Sequence, residues 1–392
     1  MTIAKKIAGF QEKSSWIRKM FEEGTRLKAK YGAENVFDFS LGNPNLPPPS
    51  KFKSILLKLA NDVNLDHAYM ANTGYPFVRQ SVADYVTREQ GVSVSANEII
   101  MTTGAGGALN VILKTILDPG DEVLTPTPCF VEYGFYADNH GGVLKTAPSN
   151  PDFELDVEAL ARAITPKTKA LIINSPNNPT GRIYSEATLK SLAAMLEEKN
   201  KETGKTIYLI SDEPYRKIAY DGAEVPSIFD VYKESVIATS YSKDISIPGE
   251  RIGYLAVNPA ATYHTDLIGG MTLANRILGF VNAPALMQRI ICELQGEVVD
   301  ISEYKRKRDL LCGGLSSFGY EFTKPQGAFY LFPKSPTEDD VAFASALAEE
   351  RVLVVPGSGF FGPGHFRISY CVDDKTIENA MPGFEKAIKK FR

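Results

Sequence analysis

The sequence predicts an α/β fold, with a large domain holding a mostly parallel sheet flanked by helices, plus a smaller α+β domain. Three observations predict it. Short apolar runs that do not alternate, such as Leu171-Ile172-Ile173, suit strands buried on both faces. Longer stretches with helical spacing separate these runs. The last third of the chain changes character and mixes short strands with long helices.

Taken in order, strands are expected over residues 98–101, 122–124, 170–174, 207–211, 235–239 and 252–257. Helices are expected over 108–117 and 186–199, the first ended by the turn Asp118-Pro119-Gly120-Asp121. Beyond these, helices over 273–294 and 302–318, strands over 327–332, 352–355 and 366–370, and a terminal helix from about Asp374 make the smaller domain. The expected division is 47–280 for the large domain and 1–46 with 281–392 for the small one. The first segment ends in the Pro-rich run Asn43-Pro44-Asn45-Leu46-Pro47-Pro48-Pro49 and is expected to fold back on the small domain.

Composition narrows the function classes. The 392 residues are 44% hydrophobic and 23% charged, with net charge -4 and a pI near 5.8. That balance argues against nucleic-acid binding, which needs a basic surface. No run approaches a membrane span, so no membrane association is expected. No signal peptide is evident, and Cys129, Cys292, Cys312 and Cys371 are scattered, which suits free thiols in a reducing cytoplasm. The four histidines form no ligand pattern, so no metal is expected.

Five motifs follow the strands, at the edge where parallel sheets bind ligands. Ser240-Tyr241-Ser242-Lys243 is followed eight residues later by Arg251. Two hydroxyls and a guanidinium suit a phosphate. A lysine beside a bound aldehyde forms an imine once burial makes it nucleophilic. Asp212-Glu213-Pro214-Tyr215 closes another strand. A carboxylate there is either a surface turn residue or the partner of a pyridine nitrogen, making the ring an electron sink. Asn174-Ser175-Pro176-Asn177-Asn178-Pro179-Thr180-Gly181 brings Asn178 toward the same place. Thr103-Gly104-Ala105-Gly106-Gly107 joins strand to helix, where an anion binds well. It is neither a dinucleotide fingerprint nor a Walker loop. Pro126-Thr127-Pro128-Cys129-Phe130-Val131-Glu132-Tyr133 supplies an aromatic face at Phe130, fit for core packing or for stacking on a flat ring.

In this order, together with Leu41-Gly42-Asn43-Pro44, Tyr69 with Gly74 and Arg79, Gln326-Gly327-Ala328-Phe329-Tyr330 and Phe366-Arg367-Ile368-Ser369-Tyr370, the chain resembles the fold-type I pyridoxal-phosphate aminotransferases of classes I and II. The resemblance spans about residues 35 to 370. It implies pyridoxal 5′-phosphate as cofactor, with amino acids and 2-oxo acids as substrates. It implies that Lys243 holds the cofactor as a Schiff base and shuttles the proton, and that Asp212 pairs with the ring nitrogen. Tyr215 and Asn178 would hold the ring oxygen, and Phe130 would stack on the ring. Ala105 and Gly106 through backbone amides, with Ser240, Ser242 and Arg251, would hold the phosphate. Arg367, with Gly42 and Asn178 nearby, would bind the substrate carboxylate. A homodimer with shared sites is implied, in which Tyr69 reaches the neighbouring subunit's phosphate.

The chain departs from the family at the phosphate loop. Ala105-Gly106-Gly107 stands where many relatives carry a hydroxyl or a longer polar side chain, and the lysine of some aspartate-specific relatives is missing. A β-lyase that cleaves C–S bonds and a non-catalytic regulatory homologue are the competing readings. Tyr75, Tyr330 and Phe360 are candidates either for the substrate pocket or for the core.

Overall fold

Unalternating apolar runs become the centre of a sheet, because both faces are covered. The computed structural model describes residues 2–12 and 16–392. In chain order its strands are β1 (Phe37–Asp38), β2 (Ile99–Thr102), β3 (Glu122–Thr127), β4 (Val143–Pro148), β5 (Thr168–Asn174) and β6 (Tyr208–Asp212). They continue with β7 (Ser235–Ser240), β8 (Gly253–Val257), β9 (Tyr330–Leu331), β10 (Val352–Leu353), β11 (Val355–Pro356) and β12 (Phe366–Ser369).

Seven of these form one sheet in the order β2-β8-β7-β6-β5-β3-β4. Neighbours from β4 to β7 run parallel, while β8 runs against both β2 and β7. The carboxyl ends of β2, β5, β6 and β7 therefore share one edge, and β8 begins at that edge. This alone brings Thr103, Asn174, Asp212, Ser240 and Arg251 to one side of the molecule.

Side chains alternate across the sheet, yet both sets are apolar. Leu171, Leu209 and Ile237 join one core, and Ile172, Ile210 and Val236 the other. Each such burial is worth roughly 1.5–3 kcal/mol. A further core gathers Phe39, Tyr304, Leu311, Phe343 and Phe384, and the segment after β6 enters it through Tyr215 and Ile218. β1 pairs in parallel with β10, so the early chain is tied to the last third.

Several expectations are corrected. The helix expected over 273–294 is two helices, His264–Ile277 and Ala285–Cys292. Between them Gly279 and Val281 take positive φ, and Pro284 brings no N–H to continue the ladder. Asn72 secures the break by donating to Val281 O at 2.7 Å. The helix expected over 108–117 begins at Gly104, so the glycines open it instead of preceding it. The strand expected over 327–332 shrinks to Tyr330–Leu331, since Ala328 takes φ 54°. The one expected over 352–355 splits into β10 and β11. β4 went unseen because four of its six residues are exposed, as befits a sheet edge.

Candidate active site

The carboxyl edge of the sheet opens into a cavity of about 290 Å³. Gly42, Ala105, Gly106, Phe130, Asn178, Asp212, Tyr215, Ser240, Ser242, Lys243, Arg251 and Arg367 all line it. Tyr69 does not. It lies ahead of the helix Pro76–Gln90 and is 89% exposed. Tyr330 lines the cavity, and Phe360 stacks beneath Arg367. Tyr75 belongs elsewhere, packed against Phe77 and Arg289. Arg79 braces the fold by donating to the backbone oxygen of Ile99 at 2.9 Å.

Asp212 ends β6 and is fully enclosed. Its Oδ2 accepts from Tyr133 Oη at 2.6 Å, while its Oδ1 is buried without a partner. Burial pushes the carboxyl up to about 7, against the pull of the Tyr133 hydrogen bond. Neither Tyr133 nor Asn174 was assigned a role in advance, although both lie within the motifs quoted above. Asn174 links the strand ends, donating to Asp212 O at 2.8 Å and accepting from the Asn178 amide at 2.7 Å.

Asn178 Oδ1 in turn accepts from Arg367 Nη1 at 3.0 Å, and Arg367 Nη2 donates to Ser40 O at 2.6 Å. The guanidinium is sandwiched between the rings of Tyr330 and Phe360, at 4.7 and 4.5 Å. Its Nε is buried without a partner. Burial pulls its pKa below the ordinary value, but a guanidinium stays charged at any working pH.

Lys243 sits in the turn after β7 and donates to Gly42 O at 2.7 Å. Burial lowers its pKa to about 8, and the cations of Arg367 and Arg251 add to the effect. Roughly a tenth is therefore a neutral amine at pH 7, far more than for an ordinary lysine, and that is the form that attacks a carbonyl or takes a proton. Tyr215 Oη and Tyr330 Oη are 2.7 Å apart. Gly42 has no side chain for a reason: a Cβ there would lie 2.0 Å from Tyr330 Oη.

The opposite end is made of backbone and hydroxyls. The helix Gly104–Ile116 points its amino end at the cavity, with Ala105 and Gly106 in its first turn. Gly104 takes φ +78°, and a Cβ there would press on Arg251 Nη2 at 3.0 Å. Ser240 and Ser242 are buried beside it, whereas Arg251 stays exposed and donates to Pro248 O at 3.1 Å. Phe130 meets Tyr133 edge-on at 5.7 Å.

Among the described residues no group of His, Cys, Asp or Glu side chains is placed to hold a metal ion. No helix among them is long and apolar enough to cross a membrane. The arrangement combines a buried amine, a buried carboxyl with one unpartnered oxygen, a buried guanidinium, and a helix amino end flanked by hydroxyls.

Comparison with known proteins agrees with this chemistry. A family model described as aminotransferase class I and II matches residues 34–383. A probable aspartate aminotransferase of Methanocaldococcus jannaschii is 34% identical over 377 residues, covering 94% of this chain and 96% of that one. The aspartate/prephenate aminotransferase of Thermus thermophilus is 33% identical over 377 residues, covering 92% and 93%. The crystal structure of an amino transferase from Eubacterium rectale superposes with TM-score 0.97 at 40% identity over 100% of both chains. Aspartate aminotransferase from Thermus thermophilus with maleate gives TM-score 0.87 at 29% identity, covering 99% and 100%. The chain belongs to the aminotransferase class I and II family, which works with pyridoxal phosphate on amino and 2-oxo acids, and it is a transaminase.

Proposed function

We propose that this transaminase holds pyridoxal 5′-phosphate in the cavity between Asp212 and the helix Gly104–Ile116, with Lys243 as the residue that bonds to it. The observation that carries this reading is the buried, unpartnered Oδ1 of Asp212 in the same cavity as the desolvated amine of Lys243. An orphaned carboxylate oxygen is costly unless a partner arrives. A protonated ring nitrogen is such a partner. The other donors fit the group as well, with Ser240, Ser242, Arg251 and the amides of Ala105 and Gly106 suited to its phosphate and Phe130 to its ring.

When bound, the cofactor supplies an aldehyde for amines and a protonated ring that draws electrons from the substrate Cα. The chain's own residues do the rest. Asp212 keeps the ring nitrogen protonated, and Tyr133 holds Asp212 in place. Tyr215 and Asn178 line the same cavity and would hydrogen-bond the ring oxygen. Arg367 binds the substrate α-carboxylate as a fork and so sets the Cα–H bond toward Lys243. The Lys243 amine would hold the cofactor's aldehyde and, once free, would accept a proton from the substrate Cα as general base and give one back as general acid.

The same reading takes residues 47–280 as the cofactor domain and 1–46 with 281–392 as the small one. It also takes the protein as a cytoplasmic homodimer with shared sites. Tyr69, exposed here, would serve the partner's phosphate, and the four free cysteines suit a reducing compartment.

The test is a half-reaction screen. Each of twenty amino acids is added to the holoenzyme, and conversion of the bound aldehyde to its amine form is followed by absorbance. Conversion by at least one amino acid, reversed by a 2-oxo acid, is expected. The Lys243→Ala variant should lose the absorbance of the lysine-bound cofactor and slow turnover by on the order of 10⁴-fold. Near-normal transamination by that variant would overturn the assignment.

A further inference from the structure

Tyr330 and Tyr215 present their hydroxyls to the same cavity, with the oxygens 2.7 Å apart. A pair of hydroxyls at that distance shares one proton between them, so one donates and the other keeps its own proton free. Which one donates decides what Tyr215 has left to offer. We propose that Tyr330 is a positioning residue for the transamination: its hydroxyl donates to Tyr215 Oη and leaves the Tyr215 proton free for the cofactor's ring oxygen. This rests on the reading that Tyr215 faces that oxygen.

The more acidic phenol is the better donor, and Arg367 selects Tyr330. Its guanidinium lies over the Tyr330 ring at 4.7 Å, where a cation draws charge from the phenol. Burial raises both phenols, Tyr330 to about 12 and Tyr215 well above its ordinary value; Arg367 pulls both back, and it is the Tyr330 ring that lies against the guanidinium. The rings are locked edge to face, at 5.5 Å and 81°, so neither hydroxyl swings far. Gly42 completes the arrangement, since any side chain there would take the place of Tyr330 Oη. A donated hydrogen bond polarises the acceptor's own O–H, so Tyr215 becomes a stronger donor through Tyr330.

The test reads the pH titration of the visible absorption of the lysine-bound cofactor. Hydrogen bonding to the deprotonated ring oxygen lowers that pKa. Removing the Tyr215 donor with Tyr215→Phe should raise it by about one to two units. Tyr330→Phe should raise it by a few tenths of a unit, as polarisation alone is lost. The double variant should match Tyr215→Phe, because Tyr330 acts only through Tyr215. Replacing Tyr330 with 3-fluorotyrosine, a more acidic phenol of nearly the same shape, should move the pKa the opposite way and covers the case of a poorly folding Tyr330→Phe. If Tyr215→Phe shifts the pKa but Tyr330→Phe and the fluorinated residue do not, the role of Tyr330 is overturned and the reading of Tyr215 stands. Additive shifts in the double variant also overturn it. If Tyr215→Phe shifts nothing, the reading of Tyr215 fails and takes the proposal with it.

Discussion

The two ends of the cavity are built on different principles. At the end that holds Asp212, Asn178, Tyr215 and Arg367, each functional side chain already has a partner: Tyr133 for Asp212, Tyr330 for Tyr215, Arg367 for Asn178, and the backbone oxygen of Ser40 for Arg367. At the end that holds Ala105, Gly106, Ser240, Ser242 and Arg251, the groups are mainly amides and hydroxyls, and the guanidinium stays exposed. On the proposed reading, the first end is preorganised where charge changes during reaction, and the second would take an anion that keeps its charge throughout. Transition-state contacts raise rate, whereas contacts equal in all states raise only affinity. Changes at the first end should therefore appear in kcat or in KM for the amino acid, and changes at the second in cofactor binding.

The largest contrast is expected at Asp212. Asp212→Asn should lower kcat by about 10²–10³-fold, as for loss of one preorganised electrostatic partner. It should act oppositely on the cofactor-free protein. A carboxyl raised to about 7 in the fold binds its proton more tightly than in the unfolded chain. Its stabilising contribution is complete below the unfolded carboxylate pKa and is lost as pH rises through about 7. At pH 8 the cofactor-free Asp212→Asn protein should thus be more stable, by on the order of a few kcal/mol. Thermal melts at pH 5 and 8 check this, and an unchanged pH dependence would sink it.

A smaller effect is expected at Arg367. Arg367→Lys keeps the charge but loses the fork and the stacking between Tyr330 and Phe360. KM for the amino acid should rise roughly 10–100-fold, with cofactor affinity unchanged. A rise in cofactor Kd instead would blur the two ends into one.

The smallest belongs to the phosphate end. Arg251 is exposed, so Arg251→Gln should weaken pyridoxal phosphate binding by about fivefold or less, diminishing further in high salt. Pyridoxal lacking the phosphate should bind both forms alike. A drop in kcat at saturating cofactor would contradict the comparison.

Much of this was legible in the residues, for identifiable reasons. The motifs that line the cavity lie at the ends of strands or, for Tyr330 and Arg367, on them, and strand runs such as Leu171-Ile172-Ile173 are apolar on both faces, a pattern surface segments lack. β4 was not legible because four of its six residues are exposed and it carries no such run, unlike β2 at the other edge, which is buried throughout. The break between Ile277 and Ala285 carries local signals in Gly279 and Pro284, masked by apolar spacing that continues across it, and a hydrogen bond from Asn72, about two hundred residues away, secures it. Tyr133 was visible within a motif, but its bond to Asp212 joins positions 79 residues apart.

The sequence by itself determined six of the seven strands of the large sheet, the identity of the lysine, aspartate and arginine, and their places just after or on strands. Local patterning suffices for that, since burial and turn chemistry act over a few residues. Only the tertiary structure decided their state. The pKa values of Lys243 and Asp212, the free oxygen of Asp212, and the stacking of Arg367 on Tyr330 all depend on how segments far apart in the chain exclude water together. Desolvation is a property of the assembled cavity, and no single segment carries it.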